Sequence, residues 1–456
     1  MKISLSRLLE QAFCRRASNV PPYAANVSVR LQCGEATPAG GEPSGPHGTQ
    51  YTPVQRTVEG VALKKLKMGL IGPGFIAAQH IEAVRRLGDV EVVALAGSSL
   101  PSARRRAAEW CIERPYGDYR ELIADPDIDV IHNTTPNHLH LAVSLAALQA
   151  RKHVISDKPL SDSAEHSRTL WQAARRAGVA HVVTFNYRGN PLVQQARAMV
   201  RGGELGPLSY VHGQYLQDWL ADERVYSWRL DPARGGASSA LRDIGSHWCD
   251  LAEHVTGLRI EAVLADLGTV VRHREVARSA GGTFARTGSR RPARVRPRRV
   301  RIESEDLATV LLRFGGGAKG CVAIGQVLPG HKNDLQLELC GRQASLRWLQ
   351  ERQNELWVGR FGQPSTIIGK DPAILCADAA PYAHLPAGHQ EAWADAFRNV
   401  IADAYRWIRD GARPQARPAA LATFADGYRS DVLVETMLAS HAAGGVWRQV
   451  APPPSG

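Results

Sequence analysis

Between Leu66 and Phe185 the chain alternates short apolar runs with longer amphipathic stretches, and this alternation restricts the fold more than any other feature. Runs of three to seven mostly apolar residues are too short for helices, and the stretches between them repeat with helical spacing. The apolar runs are Lys67–Ile71, Val90–Ala96, Val130–His132, His153–Ile155 and His181–Phe185. Helices are expected at Phe75–Leu87, Ser102–Cys111, Leu139–Ala150 and Ala164–Ala177. Strand and helix in strict turn require parallel βαβ units, because parallel neighbours need a crossover connection. The expected fold is α/β, with a doubly wound, Rossmann-like parallel sheet over residues 66–187.

Beyond Asn190 the pattern changes. After a helix at Leu192–Gly202, alternating runs at Tyr210–Tyr215, Ala308–Phe314, Lys319–Ile324, Leu335–Leu339 and Glu355–Val358 are separated by short turns such as Gly315-Gly316-Gly317. Alternation of this kind predicts a largely antiparallel, open sheet covered on one face. Helices near Ile244–Val255, Glu391–Ile408 and Leu421–Ser440 complete an α+β domain over residues 188–450. Residues 1–65 are rich in Pro, Gly, Ser and Thr and read as a disordered leader. A transit peptide is the alternative for its first residues, which lack a continuous apolar core for secretion.

The formal charge of +12 is unevenly placed. Arg272–Arg301 holds eleven arginines against Glu275, and residues 1–67 hold nine basic residues against four acids. Together these stretches exceed the whole net charge, so the remaining body is slightly acidic. The Arg-rich stretch lacks a pattern of interleaved aromatics and reads as a solvated, disordered surface loop over 272–303, not a nucleic-acid site. No apolar run is long enough to span a membrane. The seven cysteines are scattered and form no C-x-x-C pair, so no metal site is expected and the thiols read as reduced, in a cytoplasmic protein.

Gly72-Pro73-Gly74-Phe75-Ile76-Ala77 follows the first strand and opens the first helix. Glycines there permit a tight turn and close backbone approach to a pyrophosphate at a helix N-terminus. An NAD site usually ends its second strand with an acid for the ribose 2′-hydroxyl. Here that strand ends in Ala96-Gly97-Ser98-Ser99 with Arg104-Arg105-Arg106 beyond. Ser98, Ser99 and Arg104 would suit a 2′-phosphate, so the cofactor is expected to be NAD or NADP, with NADP favoured. Asp157-Lys158-Pro159 ends the fourth strand of the expected order, at the carboxyl edge where such sheets bind ligands. Asp243 and His247 are four apart at a helix start and would share one face. Alone they would be a capping acid and a surface histidine.

Taken together, several motifs in register resemble the Gfo/Idh/MocA (glucose-fructose oxidoreductase / inositol dehydrogenase) family. They are Thr134-Thr135-Pro136-Asn137-His138-Leu139-His140, Asp157-Lys158-Pro159, Phe185-Asn186-Tyr187-Arg188, Trp228-Arg229-Leu230-Asp231 and Arg242-Asp243-Ile244-Gly245-Ser246-His247. The match runs from about Lys67 to Trp447. One departure is Asp157, where the family has Glu. The resemblance implies an oxidoreductase moving a hydride between nicotinamide and a secondary alcohol or ketone of a sugar or polyol. It implies His247 as general acid/base, Asp243 as its partner and Lys158 at the reacting oxygen, with lysine as the alternative base. Cofactor contacts are implied at Gly72, Gly74, Phe75, Ile76, Thr135, Pro136, Asn137, His140, Asp157 and Lys158. Substrate contacts are expected from Tyr187, Arg188, Trp219, Trp228, Arg229 and His389, and self-association as a homodimer or homotetramer through the open sheet face. Alternatives are a redox-neutral enzyme that modifies glycosides through a keto intermediate, or a non-catalytic nucleotide-binding regulator of the same fold.

Overall fold

The computed structural model describes residues 64–276 and 298–452. The expected leader and the centre of the Arg-rich stretch therefore lie outside the described residues. Six parallel strands form the first sheet: β1 (Leu66–Ile71), β2 (Val90–Ala96), β3 (Arg114–Tyr116), β4 (Val130–Asn133), β5 (His153–Ser156) and β6 (His181–Val183). Their order is β6-β5-β4-β1-β2-β3, the order of a doubly wound sheet. Local chemistry sets the helix ends. Ser163 caps the helix Ala164–Ala177 by accepting from His166 N–H, Glu165 stands in its first turn, and Arg175 and Arg176 stand in its last. Gly178 then stops it in the left-handed conformation at φ 65°.

The second sheet is formed by β7 (Leu208–Leu216), β8 (Ile260–Gly268), β11 (Leu307–Phe314), β12 (Lys319–Gly325), β13 (Asp334–Gly341), β14 (Ala344–Leu349), β15 (Glu355–Arg360), β16 (Thr366–Gly369) and β18 (Arg448–Gln449). Its order is β16-β15-β14-β13-β7-β12-β11-β8-β18, and every neighbouring pair is antiparallel except β7 with β12. One face packs on the helices Pro191–Arg201, Ser246–Thr256 and Phe424–Ala442, around fully buried Trp248. The other face is left open.

Beyond elements that carried no expectation, such as β3, β8, β14 and the helix Tyr119–Ala124, three features depart from the sequence reading. The helix Trp393–Arg409, expected in the second domain, lies on the parallel sheet and puts Phe397, Val400 and Ile401 into its core. A helix's period shows that it has an apolar face, but not which sheet that face covers. Nearby, β17 (Ala422–Thr423) joins the first sheet antiparallel to β6. The expected disordered loop over 272–303 is ordered at both ends, where β9 (His273–Val276) pairs with β10 (Arg298–Arg301). Arg274, read there as a solvated charge, is buried and donates to the backbone carbonyls of Leu220, Asp222 and Val225. No helix among the described residues is long and apolar enough to cross a membrane.

Candidate active site

β1 runs out at Ile71 and the chain turns through Gly72-Pro73-Gly74 into the helix Phe75–Arg85. Gly72 has φ +94°, and a Cβ there would come within 2.7 Å of Thr135 N and 2.8 Å of Thr134 O. Only glycine fits both demands. Thr134 Oγ1 locks the turn, donating to Gly72 O at 2.7 Å and Ile71 O at 3.0 Å. Gly74 is the N-cap and supplies no side-chain cap, and a Cβ there would meet nothing within 4 Å. The first N–H groups of the helix are thus left to whatever enters the cavity of about 440 Å³ that Gly72, Gly74, Phe75 and Ile76 line. An uncapped helix start beside open space fits a pyrophosphate.

At the end of β2, Gly97 and Ser98 line the same cavity, and so do Ser102, Arg105 and Arg106. Two expected contacts fall elsewhere. Ser99 spends its hydroxyl capping the helix Leu100–Glu109, accepting from Ser102 N–H at 3.4 Å. Arg104 is exposed and points off the cavity-facing side, because residues 102, 105 and 106 share one helical face and 104 does not. Arg106 is partly committed, pairing with Glu109 at 2.7 Å and packing over Trp110.

Thr135, Pro136 and Asn137 line the cavity after β4, and the Asn137 amide also donates to Gly235 O at 3.1 Å. His140 does not line it. Its buried ring lies 2.9 Å from Pro159 O and 2.8 Å from Thr135 O, so it ties together the two loops that form the floor.

The reactive groups gather where this cavity meets a second one of about 410 Å³. Phe75, Ile76, Asp157, Lys158, Arg229 and Asp243 line both. Asp157 accepts from the Thr184 hydroxyl at 3.0 Å, which fixes the shortened carboxylate. The Lys158–Pro159 peptide is cis. The Lys158 ammonium donates to Asp243 O at 2.6 Å and to Asp243 Oδ1 at 2.8 Å. Arg229 Nε donates to the same oxygen at 3.2 Å, and Gln326 Nε2 donates to Oδ2 at 2.8 Å. Burial opposes ionisation of Asp243, but the Lys158 and Arg229 charges and these hydrogen bonds outweigh it and hold the carboxyl far below the usual range.

Asp243 does not orient His247, contrary to their four-residue spacing. It lies in a π turn, Leu241–Gly245, and the α-helix begins only at Ser246. Single π turns of this kind are frequent at functional sites. Among the described residues none of Asp243's hydrogen bonds reaches His247, whose buried Nδ1 has no partner. The rings of Phe185, Tyr187 and Tyr215 enclose that imidazole. Burial, and then the charge of Lys158, push its pKa well below the ordinary value, so it stands neutral.

The second cavity is polar on one side. The Tyr187 and Tyr215 hydroxyls are 2.7 Å apart, Tyr215 donates to Asn333 Oδ1 at 2.6 Å, and Gln217 donates to the same atom at 3.0 Å. Lys332 and Gln350 join the lining, with Trp393 and Phe397 opposite in character. Of the expected substrate contacts, Tyr187 and Arg229 line this cavity and Trp228 lines the first. Arg188 is excluded, because its guanidinium is buried against Asp250 at 2.5 and 2.8 Å and Asp426 at 3.3 Å. His389 is exposed beside Gln390 and Lys370, away from the reactive groups. Trp219 lines neither cavity; its indole donates to Gln217 Oε1 at 3.0 Å. Gln217, Gln326, Lys332, Asn333 and Trp393 carried no sequence signal, since they come from four separate segments and none falls in a motif.

Comparison with known proteins agrees with this geometry. Residues 66–185 match the Gfo/Idh/MocA oxidoreductase family's NAD-binding Rossmann fold, and residues 193–347 match a Gfo/Idh/MocA C-terminal domain. Levoglucosan dehydrogenase of Pseudarthrobacter phenanthrenivorans is 32% identical over 311 residues, covering 65% of this chain and 76% of that protein. The solved levoglucosan dehydrogenase complex with NADH and levoglucosan superposes with a TM-score of 0.74 at 28% identity, covering 85% of this chain and all of that one. An inositol dehydrogenase homologue from Azotobacter vinelandii, complexed with NAD+, gives a TM-score of 0.75 at 27% identity, covering 85% of this chain and 98% of that one. A glycine turn opening on an uncapped helix, with lysine and aspartate bonded at the cavity junction, thus stands in a chain that belongs to the Gfo/Idh/MocA family of NAD-binding oxidoreductases.

Proposed function

We propose that this enzyme oxidises a secondary hydroxyl of a sugar, anhydrosugar or polyol, or reduces the matching ketone. The observation that carries the reading is the placement of Lys158 and Asp243 where the cavity beside the glycine turn meets the second, partly polar one. Gly72, Gly74, Phe75 and Ile76 would hold the nicotinamide nucleotide, which would supply the hydride acceptor for the alcohol. Lys158, already aimed by Asp243, donates a hydrogen bond to the reacting oxygen and steadies negative charge as the proton leaves. Asp243 stays ionised and holds the lysine in place. His247, kept neutral, takes the hydroxyl proton through Nε2, the nitrogen not buried without a partner. Tyr187, Arg229, Gln217 and Asn333 offer donors and acceptors suited to the other hydroxyls.

NADP is the proposed nucleotide. Ser98, Ser102 and Arg105 line the pocket at the end of β2 and leave it without a carboxylate, which favours a 2′-phosphate. The open sheet face is assigned to self-association as a dimer or tetramer, and the enzyme to the cytoplasm. Incubation of purified protein with NADP+ or NAD+ and a panel of anhydrosugars, aldoses and inositols tests the activity. Reduced nucleotide is expected in step with ketone. Failure of every substrate class with either nucleotide, in protein that binds NADH, would remove the dehydrogenase reading.

A further inference from the structure

The open face of the second sheet carries a cluster that the reaction does not use. Side chains alternate along a strand, so His212 on β7 shares this face with Glu338 and Cys340 on β13. The register sets His212 directly opposite Glu338, with Cys340 two residues further on, opposite Tyr210. His212 Nε2 lies 3.9 Å from Glu338 Oε1, too far for a hydrogen bond. One nitrogen, one oxygen and one sulfur atom from these three residues fall within 4.8 Å of one another. Ligands held about 2.0–2.3 Å from a tetrahedral ion stand roughly 3.3–3.8 Å apart, so small side-chain rotations would close the set.

A simple ion-pair row explains the cluster less well. Glu338 is also 3.8 Å from Arg347, but that guanidinium packs over the Trp357 ring. Both contacts of the carboxylate are long, and neither engages the thiol. The donor chemistry points elsewhere. A thiolate and a carboxylate bring two negative charges, matching a divalent cation, and a neutral imidazole adds a third ligand without further charge. Sulfur with imidazole selects a borderline-soft ion over magnesium or calcium. We propose that His212, Glu338 and Cys340 bind a zinc-class divalent ion, with water in the fourth position. The ion would clasp β7 to β13, the thiol losing its proton to solvent as the metal–sulfur bond forms. All three ligands come from one copy of the chain.

Cobalt(II) is the probe, because a cobalt–thiolate bond absorbs in the near ultraviolet. Full-length protein, reduced, stripped with EDTA and desalted, is titrated with cobalt(II) and then with zinc(II). One equivalent per chain is expected, with a thiolate-to-metal band that zinc abolishes. Cys340→Ser should remove the band, and His212→Gln should weaken binding at least tenfold. None of the three residues lines either cavity, so unchanged NADH binding certifies that the variants are folded. A second readout needs wild-type protein alone: zinc should protect Cys340 from alkylation, followed by peptide mass mapping. Absence of one-equivalent binding, a band unchanged in Cys340→Ser, or alkylation of Cys340 at the same rate with zinc would each overturn the assignment.

Discussion

Lys158 donates to both the backbone carbonyl and the side-chain oxygen of Asp243, at 2.6 and 2.8 Å, and so joins the carboxyl end of β5 to the π turn ahead of the helix Ser246–Thr256. A single ammonium thus spans the two domains at the point where the cavities meet. Substitution by methionine keeps the apolar stem and removes every donor. Lys158→Met is expected to lower kcat by roughly 100- to 1,000-fold, as for loss of one donor to a developing oxyanion. NADH affinity should change little. Lys158→Arg should not restore the rate, because a planar fork does not match a site built for a point charge. Steady-state kinetics with parallel NADH titration separates these outcomes, and a full rate in Lys158→Met would remove lysine from the chemistry.

Gln326 is fully buried on the loop after β12, and its amide donates to Asp243 Oδ2 at 2.8 Å. It is a positioning residue, acting through the aspartate. Gln326→Leu strips one donor from the ionised carboxylate, an effect worth about 1.5–3 kcal/mol, or roughly ten- to 150-fold in rate. The loss should fall on kcat and leave KM nearly constant, because the amide keeps a carboxylate in place and does not hold substrate. An equal loss in KM would instead mean that the substitution has deformed the cavity.

The proposed preference for NADP makes Ser98 and Arg105, which line the cavity at the end of β2, the residues to change. Arg105→Ala is expected to weaken NADPH at least tenfold while altering NADH by less than threefold. Ser98→Asp should move selectivity toward NADH, since an acid there accepts from the ribose hydroxyl and repels a phosphate. Fluorescence titration of each variant with both reduced nucleotides measures the ratio, and a ratio unmoved by either change would place the discriminating contact elsewhere.

Most of the first sheet was legible because five of its strands and the four longer helices between them carry their own periods, whereas the three-residue β3 and the short helix Tyr119–Ala124 are too brief to show one. The site was legible only where its residues sit next to one another in sequence, as in Gly72-Pro73-Gly74 and Asp157-Lys158-Pro159. Arg188 shows the limit: its motif suggested a substrate contact, yet Asp250 and Asp426, 62 and 238 residues away, bury it in an ion pair. Gln326 and Asn333 reach the site from beyond a sheet whose register no local pattern encodes. The π turn was invisible for a different reason, because Leu241–Gly245 has the composition of an ordinary helix start.

Acid should destabilise the first domain through its buried histidines. His181 Nδ1 accepts from Phe424 N–H at 3.3 Å, which requires an unprotonated nitrogen. Burial, with the Arg417 charge and against that of Asp426, lowers its pKa to about 4. Burial likewise lowers His80 to about 4, offset in part by Asp157, and its Nδ1 lies 2.8 Å from His132 Nδ1. A second proton would set two N–H groups face to face there. Above pH 6.5 both rings are neutral folded or unfolded, and stability is unaffected. Below 6.5 the unfolded chain takes up protons that the folded chain refuses until about pH 4, so stability falls with pH across that window. By pH 5 the loss is roughly 2 kcal/mol for each histidine. Urea unfolding between pH 7.5 and 5 should show this slope. His181→Asn, whose amide oxygen replaces the acceptor, should make it shallower by one histidine's share; an unchanged slope would mean that His181 is protonated in the folded protein.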